Sequence, residues 1–350
     1  MPRRLSEGSV FFGAFFYKSI RWAATTIMGF IVATLFTTAT AAMATEAILV
    51  HDIAPPHPRY RHFYGMVAEV ASRTSGMLTI AINPGGKILY PGQASLDAVR
   101  SGRVPLTFVN SAFLQSINPS LGFINLPFTI NDEIMMKPGV SEGVIRLVQT
   151  YLEPNGLEVL GLMRGADTIF VFKKHQVRRP EDLKGLKIRV AGPGVYQEIV
   201  RSFEAEPTVI PAIEMGSALE HGIIEGMVTS PGGWGKNVLD APNGSLVPGL
   251  IFYTYFFIAD KSWLNGLPLE QRKALMDAAR TQVTEKWRTM QQDDFQLIST
   301  LVARGATYWS VPTDGLALWK KRVEGVTHKF KSTYPAVIEQ FRAIVPEEDR

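Results

Sequence analysis

The chain has 350 residues, more than one ordinary hydrophobic core holds, so two domains are expected. Apolar residues make up 46% and charged residues 19%, which excludes a disordered chain, and the net charge of +4 is scattered in a way that excludes a nucleic-acid surface. Cysteine is absent, so the fold uses neither disulfides nor thiolate chemistry.

The N-terminal stretch reads as an export signal. Arg3, Arg4, Lys18 and Arg21 supply positive charge, residues 23–36 are apolar, and Ala42-Met43-Ala44 has the small-x-small pattern that predicts cleavage after Ala44. The apolar run is shorter than the ~20 residues a spanning helix needs.

In the mature chain, 48–50 reads as a strand. A helix follows, with Tyr60, Phe63, Tyr64, Val67, Val70 and Ala71 at helical spacing, closed by Gly76. A strand at 78–82, a Pro84-Gly85-Gly86 turn, a helix through Leu96 and Val99, and a strand at 104–109 complete a pattern that predicts βαβ units and a parallel sheet. In open α/β sheets ligands bind beyond the carboxyl ends of strands. His51-Asp52 and the Asn110 to Phe113 loop sit at such ends, which makes them pocket candidates.

Strands at 157–162 and 168–173 come next, the second crossing to a second domain. In the stretch 179–190, Pro180 opens a turn, Gly185 ends it, and Leu186, Ile188 and Val190 alternate with Lys187 and Arg189 in the period of a half-buried strand. Arg189 stands at the carboxyl end of that strand, before Gly192-Pro193-Gly194. A planar, permanently charged guanidinium in that place is suited to grip a carboxylate with two parallel hydrogen bonds. By itself the pattern equally fits an arginine that is solvated or paired with a nearby acid.

A helix at 195–203, a strand at 208–211, a helix at 214–221 and a strand at 223–228 then bring Thr229 to Trp234 to the same cleft. Trp234, flanked by glycines, reads as a pocket wall, and Phe113 as a further candidate. Residues 269–304 carry apolar positions over a length that predicts a helix of roughly 50 Å, enough to bridge two domains.

Other chemistries are disfavoured. Gly232 to Asn237 superficially matches a P-loop, but Ser230 stands at its first glycine and Asn237 at its Ser/Thr position. His51, His57 and His62 lack metal-site spacing and read as surface and turn histidines. No G-x-S-x-G elbow occurs. Neither a catalytic residue, a metal nor a cofactor is expected.

Asp182-Leu183-Lys184-Gly185-Leu186-Lys187-Ile188-Arg189 matches an acidic-Leu-Lys-Gly-x-Lys-x-Arg pattern. Asn83-Pro84-Gly85-Gly86, Ala98 to Gly102, Leu126-Pro127-Phe128, Pro207 to Pro211 and Ala218 to Gly222 follow in the same order as their counterparts. Together they resemble the solute-binding proteins of TRAP (tripartite ATP-independent periplasmic) transporters, in the dicarboxylate-binding DctP-like group. The resemblance implies an α/β, two-lobed periplasmic binding fold with a central cleft, a strand at 253–259 returning to the first lobe, and a long helix spanning both. Lobe I would hold 45–166 and about 255–296, and lobe II 167–254 and about 297–350.

The resemblance also implies that Arg189 anchors the ligand carboxylate, with Asn110, Thr229 and Asp52 as polar contacts. Sialic-acid-type members carry a second arginine some twenty residues earlier, where this chain has Thr168-Ile169, so sialic acid is disfavoured and a small organic acid with one gripped carboxylate is preferred. The expected partners are that anion and membrane permease subunits, and the expected place is the periplasm. A sensing partner of a membrane receptor kinase and an exported enzyme using Asp52 with a histidine are the alternatives.

Overall fold

The computed structural model describes residues 44–53, 57–237 and 239–346. The export signal read at 1–44 lies outside them except for Ala44. Among the described residues no helix is long and apolar enough to cross a membrane.

The first lobe is laid down by β1 (Thr45–Val50), β2 (Leu78–Ile82), β3 (Leu106–Asn110) and β4 (Leu157–Asp167). The second follows with β5 (Ile169–Phe172), β6 (Lys187–Val190), β7 (Glu206–Val209), β8 (Gly226–Thr229) and β9 (Asn243–Leu246). Strand β10 (Phe252–Asp260) then returns to the first sheet, and β11 (Thr307–Ser310) closes the edge of the second. The strand orders are β2-β1-β3-β10-β4 and β11-β9-β5-β8-β6-β7.

β1 runs parallel to β2 and β3, while β10 is antiparallel to both β3 and β4. All of β3 is buried, as expected of a strand covered on both faces. The helix Tyr60–Arg73 buries His62, Phe63, Met66 and Val70, one stripe at helical spacing. Phe63 lies 4.6 Å from Phe108, and Phe108 stacks 4.6 Å from Phe257, so one aromatic column ties that helix to the sheet's centre.

Two crossings join the lobes side by side. β4 passes into β5 through Thr168, whose amide and hydroxyl both donate to the Ile251 carbonyl, at 3.1 and 2.7 Å. On the returning crossing, the Gly249 amide donates to the Asp167 carboxylate at 3.0 and 3.1 Å.

The single long helix expected at 269–304 is corrected. It is divided into the helices Leu269–Gln282 and Trp287–Ala303 by a 3₁₀ turn at Thr284–Lys286. At the break Val283 has φ −114°, and the Thr284 hydroxyl accepts from the Leu162 amide at 3.3 Å. Gly161 permits this approach, since a Cβ there would stand 3.2 Å from the same hydroxyl. The spanning role passes to Trp287–Ala303, which packs against β4 of one lobe and against Pro231–Asn237 and β11 of the other.

The C-terminal segment also divides. Trp319, on the helix Leu316–Thr333, packs on Phe170 and Phe203 of the second lobe. The helix Pro335–Ile344, placed by sequence with the second lobe, packs instead on Val140–Leu152 of the first, and Phe341 meets Phe123 at 5.2 Å.

Candidate ligand-binding site

The carboxyl ends of four strands converge on one cavity between the lobes. Asp52 follows β1, Asn110 ends β3, Arg189 lies near the end of β6, and Thr229 ends β8. β10 contributes Tyr253 and Tyr255. The space between the lining residues, open solvent included, is about 610 Å³.

Arg189 is 2% exposed and sits on an interior strand, opposite Thr208 of β7 and Met227 of β8. Its Nε donates to the Ile210 carbonyl at 2.8 Å and its Nη1 to the Val228 carbonyl at 3.0 Å. Those bonds hold the guanidinium from two sides, and its Nη2 group makes no hydrogen bond with the described residues. No Asp or Glu of the described residues makes an ion pair with it. A buried charge ordinarily requires a counter-charge, so this arrangement suits an anion brought into the cavity.

Around it stand groups with unspent hydrogen-bonding capacity. Asn110 Oδ1 accepts from the Ala112 amide at 2.9 Å, but its buried Nδ2 finds no well-aligned partner among the described residues, with the Tyr255 phenol the group beside it. The Thr229 side chain is held close to Gly233, where any Cβ would overlap its hydroxyl. Burial raises the Asp52 carboxyl above its ordinary range, with the Arg189 charge and the amides of Asp52 and Gly92 acting the other way. Burial likewise pushes the Tyr253 phenol up to about 12. That phenol donates to the Val228 carbonyl at 3.0 Å, the same oxygen that receives Arg189 Nη1.

His57 and Ser230 join the two sides of the cavity. His57 Nδ1 accepts from the Arg59 amide at 3.1 Å, which leaves the proton on Nε2 to donate to Ser230 Oγ at 3.0 Å. Burial, helped by the charge of Arg59, lowers this histidine to about 3, so it is neutral at physiological pH. The reading of these histidines as surface and turn residues is corrected: His51 is fully buried and His57 bridges the lobes.

Four of the sequence-read residues therefore meet in the cavity: Arg189, Asn110, Thr229 and Asp52. Two do not. Trp234 is 0% exposed, donates from Nε1 to the Ala241 carbonyl at 2.9 Å, and stacks 6.3 Å from Tyr308 in the second lobe's core. The helix Pro231–Asn237 turns Gly232, Gly233 and Lys236 toward the cavity, which rotates Trp234 to its opposite face. Phe113 belongs to a 3₁₀ turn, Ser111–Ser116, and its ring lies in the core against Gly92.

Arg164, a further buried arginine, is engaged by carboxylates of the protein. Its Nε and Nη2 grip Asp132 at 2.6 and 2.9 Å, and Nη1 pairs with Asp294. Sequence reasoning missed His57, Tyr253, Tyr255 and Lys236 as cavity residues. The i, i+2 spacing of the two tyrosines on a strand was a usable signal. Among the described residues no group of three or more side chains is placed to hold a metal ion.

The model of the bacterial extracellular solute-binding proteins, family 7, matches residues 49–333. A solute-binding protein of Verminephrobacter eiseniae is 24% identical over 68% of this chain and 71% of its own length. The 2,3-diketo-L-gulonate-binding periplasmic protein of Escherichia coli is 22% identical over 67% and 71%. In three dimensions the chain superposes on a sugar acid binding protein of Advenella mimigardefordensis solved with galactonate, with a TM-score of 0.78, 18% identity, and 86% and 99% of the two chains covered. A TRAP periplasmic solute-binding protein of Sulfurospirillum deleyianum, solved with succinate, gives a TM-score of 0.76 at 18% identity, covering 86% and 99%. With its two α/β lobes, its interlobe cavity and a family match that runs from β1 to the end of the helix Leu316–Thr333, the chain belongs to the bacterial extracellular solute-binding proteins, family 7.

Proposed function

We propose that the mature protein is a periplasmic receptor that takes up an organic acid anion between its lobes and delivers it to the membrane subunits of a TRAP-type transporter. The observation that carries this reading is Arg189, a buried guanidinium held by two carbonyls and in no ion pair among the described residues. In a dry site its attraction for a carboxylate is strong, provided that the remaining lone pairs are hydrogen-bonded. Asn110 and Asp52 approach from the first lobe and Thr229 from the second, so one ligand touches both. Contacts made only when the lobes are together favour the closed arrangement, which is the form a permease can distinguish. The names of the relatives and the acids held by the structural neighbours support the same reading.

Thermal unfolding of residues 45–350 against a panel of organic acids, amino acids, neutral sugars and nucleotides tests it. A ligand at a hundred times its Kd adds about 2.7 kcal/mol, a readily measured shift in Tm. The shift should be confined to carboxylates. Stabilisation by neutral sugars alone, or turnover of a ligand, would sink the proposal.

A further inference from the structure

The anchor at Arg189 says how one end of a ligand is held, and the rest of the cavity bears on the other end. This inference rests on the receptor reading. Donors predominate: Nη2 of Arg189, Asn110 Nδ2, and the hydroxyls of Thr229 and Tyr255. Against them stands Asp52, whose side chain is the single carboxyl among the described residues lining the cavity. Lys236 adds a second cation, exposed at the rim and not in the depth.

Three ligand types fit this inventory poorly. An unsubstituted dicarboxylate anchored at Arg189 would bring its second carboxylate toward Asp52, a like charge in a site of low dielectric. An ammonium suits Asp52 but accepts nothing from Asn110, Thr229 or Tyr255, and it enters the field of Arg189 and Lys236. A neutral polyol satisfies the hydroxyls and leaves the guanidinium without a counter-charge. A hydroxyl group is both donor and acceptor: it can give its proton to Asp52 while its oxygen receives from Asn110 Nδ2 or from a neighbouring hydroxyl.

We infer that Asp52 is a specificity determinant, and that the cavity takes a monocarboxylate bearing hydroxyl groups and discriminates against an unsubstituted dicarboxylate of the same chain length. The carboxylate lies on Arg189 and the hydroxylated end on Asp52 and Asn110. Leaving a polar group of the site unpaired is the strongest basis for rejecting a ligand that lacks its partner.

Calorimetry at pH 8 tests this with matched pairs: threonate against succinate, xylonate against glutarate, and gluconate against adipate. Each is titrated into the wild type, Asp52→Asn and Arg189→Ala, with circular dichroism confirming the fold of each variant. The expected result is that the tightest ligand is a hydroxy acid, at least tenfold tighter than its dicarboxylate partner. In Asp52→Asn that ratio should fall by tenfold or more, with the dicarboxylate gaining affinity. A dicarboxylate as the tightest wild-type ligand, an unchanged ratio in Asp52→Asn, or no binding by any of the hydroxy acids overturns the inference. Failure of the underlying receptor reading has a separate mark: acids then bind Arg189→Ala as tightly as the wild type.

Discussion

Two regions of this molecule bury arginines, and they do so in opposite ways. Beside the lobe crossings, Arg59 and Arg164 are surrounded by acceptors the chain itself provides. Arg59 donates to the Arg164 and Gly165 carbonyls at 2.9 and 2.6 Å and to Asp294 at 2.7 Å, while Arg164 grips Asp132 and Asp294. Asp132 also accepts from Trp287 Nε1 at 2.6 Å and from Gln291 at 2.9 Å, so the network fastens the helix Trp287–Ala303 to β4. In the cleft, Arg189 is just as buried but holds only two carbonyls. A buried cation with internal carboxylates is a structural part. One that forms no ion pair among the described residues, with Asp52 the carboxyl across the cavity from it, is matched to an anion from outside.

The comparison is broken most severely at its structural half. Asp294→Ala strips the shared carboxylate from two buried arginines and should destabilise the fold by about 3–5 kcal/mol, read by denaturant unfolding. A loss no larger than that of an exposed ion pair would mean the network is incidental.

Gly232→Ala probes the cleft. A Cβ there would overlap the His57 ring across the lobes, so closure should be impeded and acid affinity reduced roughly tenfold, with little change in unfolding free energy. Unaltered affinity would show that His57 yields without cost.

Asp167→Asn sharpens the account of the crossings by pH. Burial raises the Asp167 carboxyl to about 7, against the opposing Gly249 amide. The folded state therefore holds its proton at pH values where the unfolded chain has released it. Its contribution is complete below the ordinary aspartate range and is lost as pH rises to about 7. Stability of the wild type relative to the Asn variant should fall across that window, by up to about 4 kcal/mol for a shift of that size, and then level off. His51 and His57, held low by burial, act in the opposite direction and are common to both proteins, so the difference between the two curves isolates Asp167.

The positions of these groups were unequally readable in the sequence. Arg189, Asp52, Asn110 and Thr229 each sit at or just beyond the end of a strand, and strand ends are readable from period-2 alternation and the turn residues that follow. Trp234 and Phe113 depended on which way a short helix or 3₁₀ turn rotates after the strand, and flanking glycines announce a close approach without its direction. His57 was illegible for another reason: its partner Ser230 lies 173 residues away and belongs to the opposite lobe.

The broken helix and the two strands at one side of the second sheet have the same origin. The break at Val283 is imposed by contact with β4. β9 and β11, with the sequences Asn-Gly-Ser-Leu and Thr-Tyr-Trp-Ser, carry no apolar alternation and are strands through pairing with each other and, for β9, with β5. Tertiary pairing overrides weak local preference in such short segments.

The most direct test of the contrast between the two regions is Arg189→Met, measured twice on the same protein. An apolar side chain of similar length removes the charge while filling its space. Unfolding without ligand should then be unchanged or slightly stabilised, because a buried charge lacking a carboxylate is lost. Calorimetry against the acid that binds the wild type should show affinity reduced about 100-fold or more, the loss of two charge-assisted hydrogen bonds. A variant that loses several kcal/mol of stability yet binds the acid as tightly as the wild type would contradict the account and place Arg189 with Arg59 and Arg164.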